Sequence, residues 1–192
     1  MKVLGVCASY GLHVAVIDDD KTLFLYSNQD EVKSDNLLSI IEDGLKQSKL
    51  KFSDIDVIAT CVGPGSFTGS RVAISLVKGL FVGQEKKLVS FESFDCFGTG
   101  DVVLSGFGKF VYLKQGENKS CVEIENVKNF SGTTDSESLA KTLGAKKIAF
   151  DMVNVICNKV KRREFITIQE LMPIYLRASQ AEIEREKKND RR

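Results

Sequence analysis

The stretch from residue 56 to 83 constrains this chain more than any other. Asp56-Val57-Ile58-Ala59-Thr60-Cys61-Val62 is a β-branched and apolar run that reads as a buried strand. Gly63-Pro64-Gly65-Ser66-Phe67-Thr68-Gly69-Ser70-Arg71 follows as a glycine-rich turn, and the run 72–83 behind it reads as a helix. Strand, turn and helix N-terminus together form a general anion cradle, because free backbone N–H groups and the positive end of the helix dipole converge there. Two phosphate-binding patterns are therefore tested first. A Walker A loop needs Gly-Lys followed by Ser or Thr, with a glycine five positions earlier; here Pro64 stands five before Gly69, and Ser70-Arg71 replaces the Lys-Ser/Thr pair. A dinucleotide fingerprint needs three glycines, and Gly63-x-Gly65-x-x-Thr68 lacks the third, although Glu92 lies about where a ribose-binding acid would sit. The plain alternative is a tight turn capped by Ser66 or Thr68, with no ligand.

The helix says more than the loop. From Val72 to Val82 only Ser75 and Lys78 are polar, so apolar side chains point in nearly every direction. Such a helix must be covered on more than one side, and its own sheet covers one. Ser75, Gly79 and Gly83 recur every four residues as a stripe of small side chains where another backbone could approach. The competing reading is a fully buried central helix of one larger domain. The run is too short and too flanked by charge to span a bilayer.

Composition narrows the class. The chain has 192 residues, a net charge of +1, and five cysteines without a Cys-x-x-Cys pair. This predicts a soluble protein with free thiols in the cytoplasm and no sequence-wide attraction to nucleic acid. The lone histidine, His13, cannot supply a zinc site by itself. The spans 2–8, 12–18 and 22–27 read as a three-strand meander, 33–50 as a helix capped by Ser34 or Asp35, and 86–90 as a further strand. In the helix, Leu37, Leu38, Ile41 and Leu45 make an apolar stripe that Ile40 widens. Further on, 101–105, 109–114, 120–125 and 147–150 read as strands, and 136–143 and 152–161 as helices. The basic run 159–163 reads as a solvated helix end, with nucleic-acid phosphates as the alternative contact.

The Gly63-to-Arg71 motif, the apolar helix ending in Lys78-Gly79, and Pro173-Ile174-Tyr175-Leu176-Arg177 resemble the signatures of the TsaB (YeaZ) family. That resemblance implies an α/β, actin-like ATPase (ASKHA, ribonuclease-H-like) fold with two similar subdomains, the second shortened. The implied division is 1–95, with 172–180 returning to it, then 96–171, then a charged tail over 181–192. Chains of this kind commonly carry Asp-Thr-Ser where this one has Cys7-Ala8-Ser9, and no acid-glycine-glycine turn follows in the second half. A thiol is a poor ligand for Mg²⁺. The nucleotide cleft is thus expected to be degenerate, and the chain not an enzyme by itself.

The resemblance further implies a non-catalytic dimerisation subunit, with helices 34–49 and 70–83 pairing with a TsaD-like homologous subunit. The expected interface comprises Leu37, Ile40, Ile41, Arg71, Ile74, Ser75, Val77, Lys78, Leu80 and Phe81. Gly63, Pro64, Gly65, Ser66, Phe67, Thr68 and Gly69 form the signature loop. No cofactor is expected on this chain; ATP and a metal ion are expected on its partners, which include a TsaE-like ATPase. The complex would add N6-threonylcarbamoyl to adenosine 37 of tRNAs reading codons that begin with A. Contact with tRNA is expected through the complex, with a homodimer when the chain is alone and no membrane association. The alternatives are a free-standing nucleotide-binding module and a metallopeptidase-like enzyme.

Overall fold

In the computed structural model, which describes residues 1–29 and 35–177, the opening meander consists of β1 (Lys2–Cys7), β2 (Leu12–Asp18) and β3 (Lys21–Asn28). β4 (Val57–Cys61) and β5 (Lys87–Phe91) join it in parallel, giving the order β3-β2-β1-β4-β5. The central strands are buried on both faces, which is why they read as continuous apolar runs instead of alternating ones. Leu4, Val6, Val14, Val16 and Ile58 face one layer of helices; Val3, Cys7, Ala15, Ile17 and Ala59 face the other.

The first layer holds α1 (Leu37–Gln47) and α2 (Phe67–Phe81). α1 is shorter than the expected 33–50 span. Asn36 stands at its N-cap position without a side-chain cap, Asp35 is exposed, and Ser34 lies outside the described residues. At its other end Lys49 turns to φ +55°, and the Leu50 N–H donates back to the Leu45 carbonyl at 3.0 Å. This closure tucks Leu50 against the core and stops the helix.

The second sheet repeats the first. β6 (Val102–Ser105), β7 (Phe110–Gln115) and β8 (Asn118–Glu123) form an antiparallel meander; β9 (Thr133–Thr134) and β10 (Lys146–Lys147) add in parallel, in the order β10-β9-β6-β7-β8. Two sequence expectations change here. The strand expected over 147–150 is only the two-residue β10, and β9 was not foreseen, since two-residue strands carry no periodicity of their own. α3 (Glu137–Leu143) is capped by Ser136, whose Oγ accepts from the Leu139 N–H at 3.3 Å. α4 (Met152–Lys161) is capped by Asp151 and buries Met152 and Ile156 against the back of the first sheet. Where α1 joins β3 to β4, the second half has one 3₁₀ turn, Ile124–Asn126.

The chain then returns to the first half. Leu171 is buried in the core beneath α1 and α2, and the Ile174 N–H donates to the Val62 carbonyl at 2.8 Å. The expected charged tail, 181–192, lies outside the described residues. No helix among the described residues is long and apolar enough to cross a membrane.

Candidate functional site: the glycine loop, the cleft and the outer helix face

Ser66 caps α2, accepting the Gly69 N–H on Oγ at 3.1 Å, so the helix begins at Phe67, ahead of the expected residue 70; Thr68 is exposed and plays no part in the cap. The concave side of the loop is filled by this chain's own backbone. The Ser66 N–H donates to the Ser9 carbonyl at 2.6 Å. A Cβ added at Gly65 would lie 1.9 Å from the Ser9 oxygen, and one at Gly69 would lie 1.8 Å from the Ala8 oxygen. The Ser66 and Gly69 N–H groups are thus already taken, by the Ser9 carbonyl and Ser66 Oγ, and are not free for an anion. The glycines serve close packing of α2 on the β1–β2 turn. Gly63 extends this role, its carbonyl accepting the Ser93 N–H at 2.8 Å, while Pro64 is buried beside it.

The cleft between the two sheets opens beside the β1–β2 turn, as a cavity of about 630 Å³ walled by Ser9, Tyr10, Asp135, Glu137 and Lys147. The Tyr10 hydroxyl donates to the Asp135 carboxylate, whose other oxygen accepts the Ser105 N–H at 2.9 Å. Burial, followed by the Asp135 charge, raises the Tyr10 pKa, so the phenol keeps its proton and ties the two halves together. Two carboxylates and one ammonium line this cavity, and Lys147 is already paired with Glu137 at 3.3 Å. Cys7, where an acid would hold Mg²⁺, is buried, with its sulfur 3.5 Å from Ser9 Oγ. A thiol at that place is a poor ligand for a hard divalent ion, in contrast to the Asp135 and Glu137 carboxylates across the cavity.

His13 and two buried thiols serve the fold. His13 is buried, with Nε2–H donating to the Tyr10 carbonyl at 2.8 Å and Nδ1 accepting from Ser27 Oγ at 2.8 Å. Burial pushes its pKa down to about 4, against the pull of the Tyr10 carbonyl, so the ring is neutral and stacks 4.1 Å from Phe150. Burial likewise holds the Cys61 and Cys96 thiols well above the usual range, keeping them protonated and unreactive. Among the described residues no group of three or more His, Cys, Asp or Glu is placed to hold a metal ion. The basic run is largely neutralised by its own chain: Lys159 pairs with Glu164 at 2.9 Å and Lys161 with Asp20 at 2.7 Å.

The residues expected at a partner seam divide by helix face. Leu37, Ile41, Ile74 and Val77 are buried in the chain's own core, Val77 at 0% exposure, so they cannot touch a partner without unfolding. Ile40, Lys78, Leu80 and Phe81 are half-buried, and Arg71 and Ser75 are exposed. Arg71 lies 3.8 Å over the Phe67 ring and donates from Nε to the Tyr175 hydroxyl at 2.9 Å. Leu38, read in the sequence as part of the core stripe, points outward at 47% exposure; Val82 is 69% exposed, and a Cβ at Gly79 or Gly83 would meet nothing within 4 Å. The Ser75–Gly79–Gly83 stripe signalled this open face.

A family model described as TsaD, tRNA N6-adenosine threonylcarbamoyltransferase, matches residues 30–136, more than half of the chain. A relative from Buchnera aphidicola subsp. Baizongia pistaciae (strain Bp), named tRNA threonylcarbamoyladenosine biosynthesis protein TsaB, is 36% identical over 61 residues, 30% of this chain and 28% of that protein. A protein of the same name from Escherichia coli (strain K12) is 29% identical over 90 residues, covering 46% of this chain and 39% of its own length. The matches thus span well under half of either curated relative. The structure of YeaZ from Pseudomonas aeruginosa superimposes with a TM-score of 0.73 at 17% identity, over 91% of this chain and 100% of that one, which is a likeness of fold. Two five-stranded sheets of repeated order, with helices between their parallel strands, make the fold actin-like and ribonuclease-H-like. The chain belongs to the TsaB (YeaZ) family.

Proposed function

We propose that this chain is a non-catalytic scaffold subunit in the formation of N6-threonylcarbamoyladenosine in tRNA. On this reading it binds a TsaD-like homologous subunit, which transfers the threonylcarbamoyl group to adenosine 37 of tRNAs reading codons that begin with A. A TsaE-like ATPase joins the pair, ATP and the metal ion reside on those partners, and tRNA is met through the assembly. Without its partner the chain pairs with itself through the same surface.

The observation that carries this reading is the outer face of α1 and α2. Leu38 is exposed on α1, Val82 is exposed just past the end of α2, and Gly79 and Gly83 leave open space near that end. An interface of standard size buries roughly 800 Å² on each partner, a scale that suits two adjacent helices. The filled glycine loop and the acid-lined cleft support a scaffold over a nucleotide-binding module.

The test is co-purification of the full chain with a TsaD-like subunit. The double variant Leu38→Glu/Val82→Glu alters only exposed positions, so it is expected to melt like the parent while losing the partner and, in cells lacking the parent chain, the modified nucleoside. A double variant that still co-purifies and still supports the modification would overturn the proposal.

A further inference from the structure

On the opposite side of Gly65 and Tyr112 from the acid-lined cleft lies a second cavity, of about 500 Å³, whose wall includes Phe67, Phe107, Tyr112, Tyr175, Leu176 and Arg177. Only three aromatic side chains among the described residues are exposed, and all three rim this cavity: Phe107 at 78%, Tyr175 at 43% and Phe67 at 36%. They come from three distant parts of the chain: the β6–β7 hairpin tip, the returning C-terminal segment and the first turn of α2. Exposed aromatic surface gathered at one concavity from separate segments marks a binding site, whereas aromatic residues scattered singly would not.

The charge on the wall selects the ligand. Arg177 is the only charged lining residue; its guanidinium is held 4.4 Å over the Phe110 ring. No carboxylate among the described residues lies within ion-pair distance of it, in contrast to the neighbouring cleft with Asp135 and Glu137. Tyr112, whose hydroxyl donates to the Gly65 carbonyl at 3.3 Å, is held as a partition between the two cavities. An arginine on the wall of an apolar, aromatic-rimmed space attracts an anion that also presents a flat face.

We propose that this cavity binds a small planar aromatic anion: one fused ring system lying against Phe107 and Tyr175, with a single acidic group on Arg177. An aromatic carboxylate and a nucleoside monophosphate share this chemistry. The site is separate from the outer helix face and does not depend on the proposed scaffold function.

The test uses the full chain and 1-anilinonaphthalene-8-sulfonate, which carries both the flat ring and the anion. Its fluorescence is expected to report one saturable site with a Kd of about 10–100 µM. 2-Naphthoate is expected to displace it and the uncharged 2-naphthalenemethanol to fail. Arg177→Ala is expected to weaken binding about 10- to 100-fold, with partial recovery in Arg177→Lys. Phe107→Ala, at an exposed hairpin tip, leaves the fold intact and is expected to weaken binding about three- to tenfold. Displacement by AMP as well as naphthoate assigns the site to phosphate-bearing ligands; displacement by naphthoate alone assigns it to carboxylates. Absence of a saturable site below about 1 mM, equal competition by the neutral alcohol, or unchanged binding in a folded Arg177→Ala or Phe107→Ala variant would each overturn the proposal.

Discussion

The two halves of the molecule share one strand order but not one degree of cover. In the first half, β1, β2 and β4 are sandwiched between α1 and α2 on one side and α4 on the other. In the second, a 3₁₀ turn replaces the counterpart of α1, two strands shrink to two residues, and the separate core is Val103, Val111, Leu113 and Leu139 with half-buried neighbours. The same topology can thus be a thick, doubly covered sheet or a thin, half-covered one. Burial scales with cover, so resistance to substitution should follow it.

The largest break in that contrast comes from charge placed within the first-half helix layer. Val77→Glu puts a carboxylate at a position with 0% exposure and is expected to cost at least about 4 kcal/mol, leaving most of the chain unfolded in a thermal melt. Leu38→Glu, on the outer face of the same layer, is expected to stay within about 0.5 kcal/mol of the parent. Glycine packing gives the next effect. Gly69→Ala drives a methyl against the Ala8 carbonyl and is expected to cost about 3 kcal/mol or more by urea denaturation. Its second-half comparator, Gly116→Ala, sits at φ +57° in open space and should cost only about 1 kcal/mol.

Acid sharpens the comparison further. His13 has a folded pKa of about 4 against an ordinary value of 6.5, so between those values the unfolded chain binds a proton that the folded chain refuses. Stability therefore falls as the pH drops through that window, by about 1–3 kcal/mol in all. Replacing His13 with Gln should flatten this slope in melts between pH 7 and 4.5, whatever it does to stability at pH 7. A small loss is expected for Tyr175→Phe, which removes the hydrogen bond from Arg71 Nε. It should cost about 0.5–1 kcal/mol, and an unchanged melt would show that the stacked rings alone hold the returning segment.

What the sequence made legible follows the same division. The first-half strands were readable because fully buried central strands are unbroken apolar runs, whereas β9 and β10 exist only because β6 lies beside them. The end of α1 was hidden because a lysine, Lys49, takes the left-handed position usually given to glycine. The meaning of the glycine loop was not local either: Gly65 and Gly69 are small for the sake of Ser9 and Ala8, far away in the chain. An all-round apolar α2 did not say which of its side chains this chain buries; only the fold separates Val77, buried, from Val82, exposed just past the helix end. The aromatic cavity had no sequence signal, since Phe67, Phe107 and Tyr175 meet only through the return of the last described residues.

That return carries a consequence for biosynthesis. Leu171 plugs the first-half core, and Ile174 bonds to Val62, so the first half lacks a piece of its interior until residues 171–174 are translated. At elongation rates of about 5–20 residues per second, the nascent first half waits roughly 4–16 s between completing β5 and receiving that plug. During translation the first half is therefore completed by a much later segment, and a ribosome stalled before it would expose an apolar gap that a chaperone could recognise.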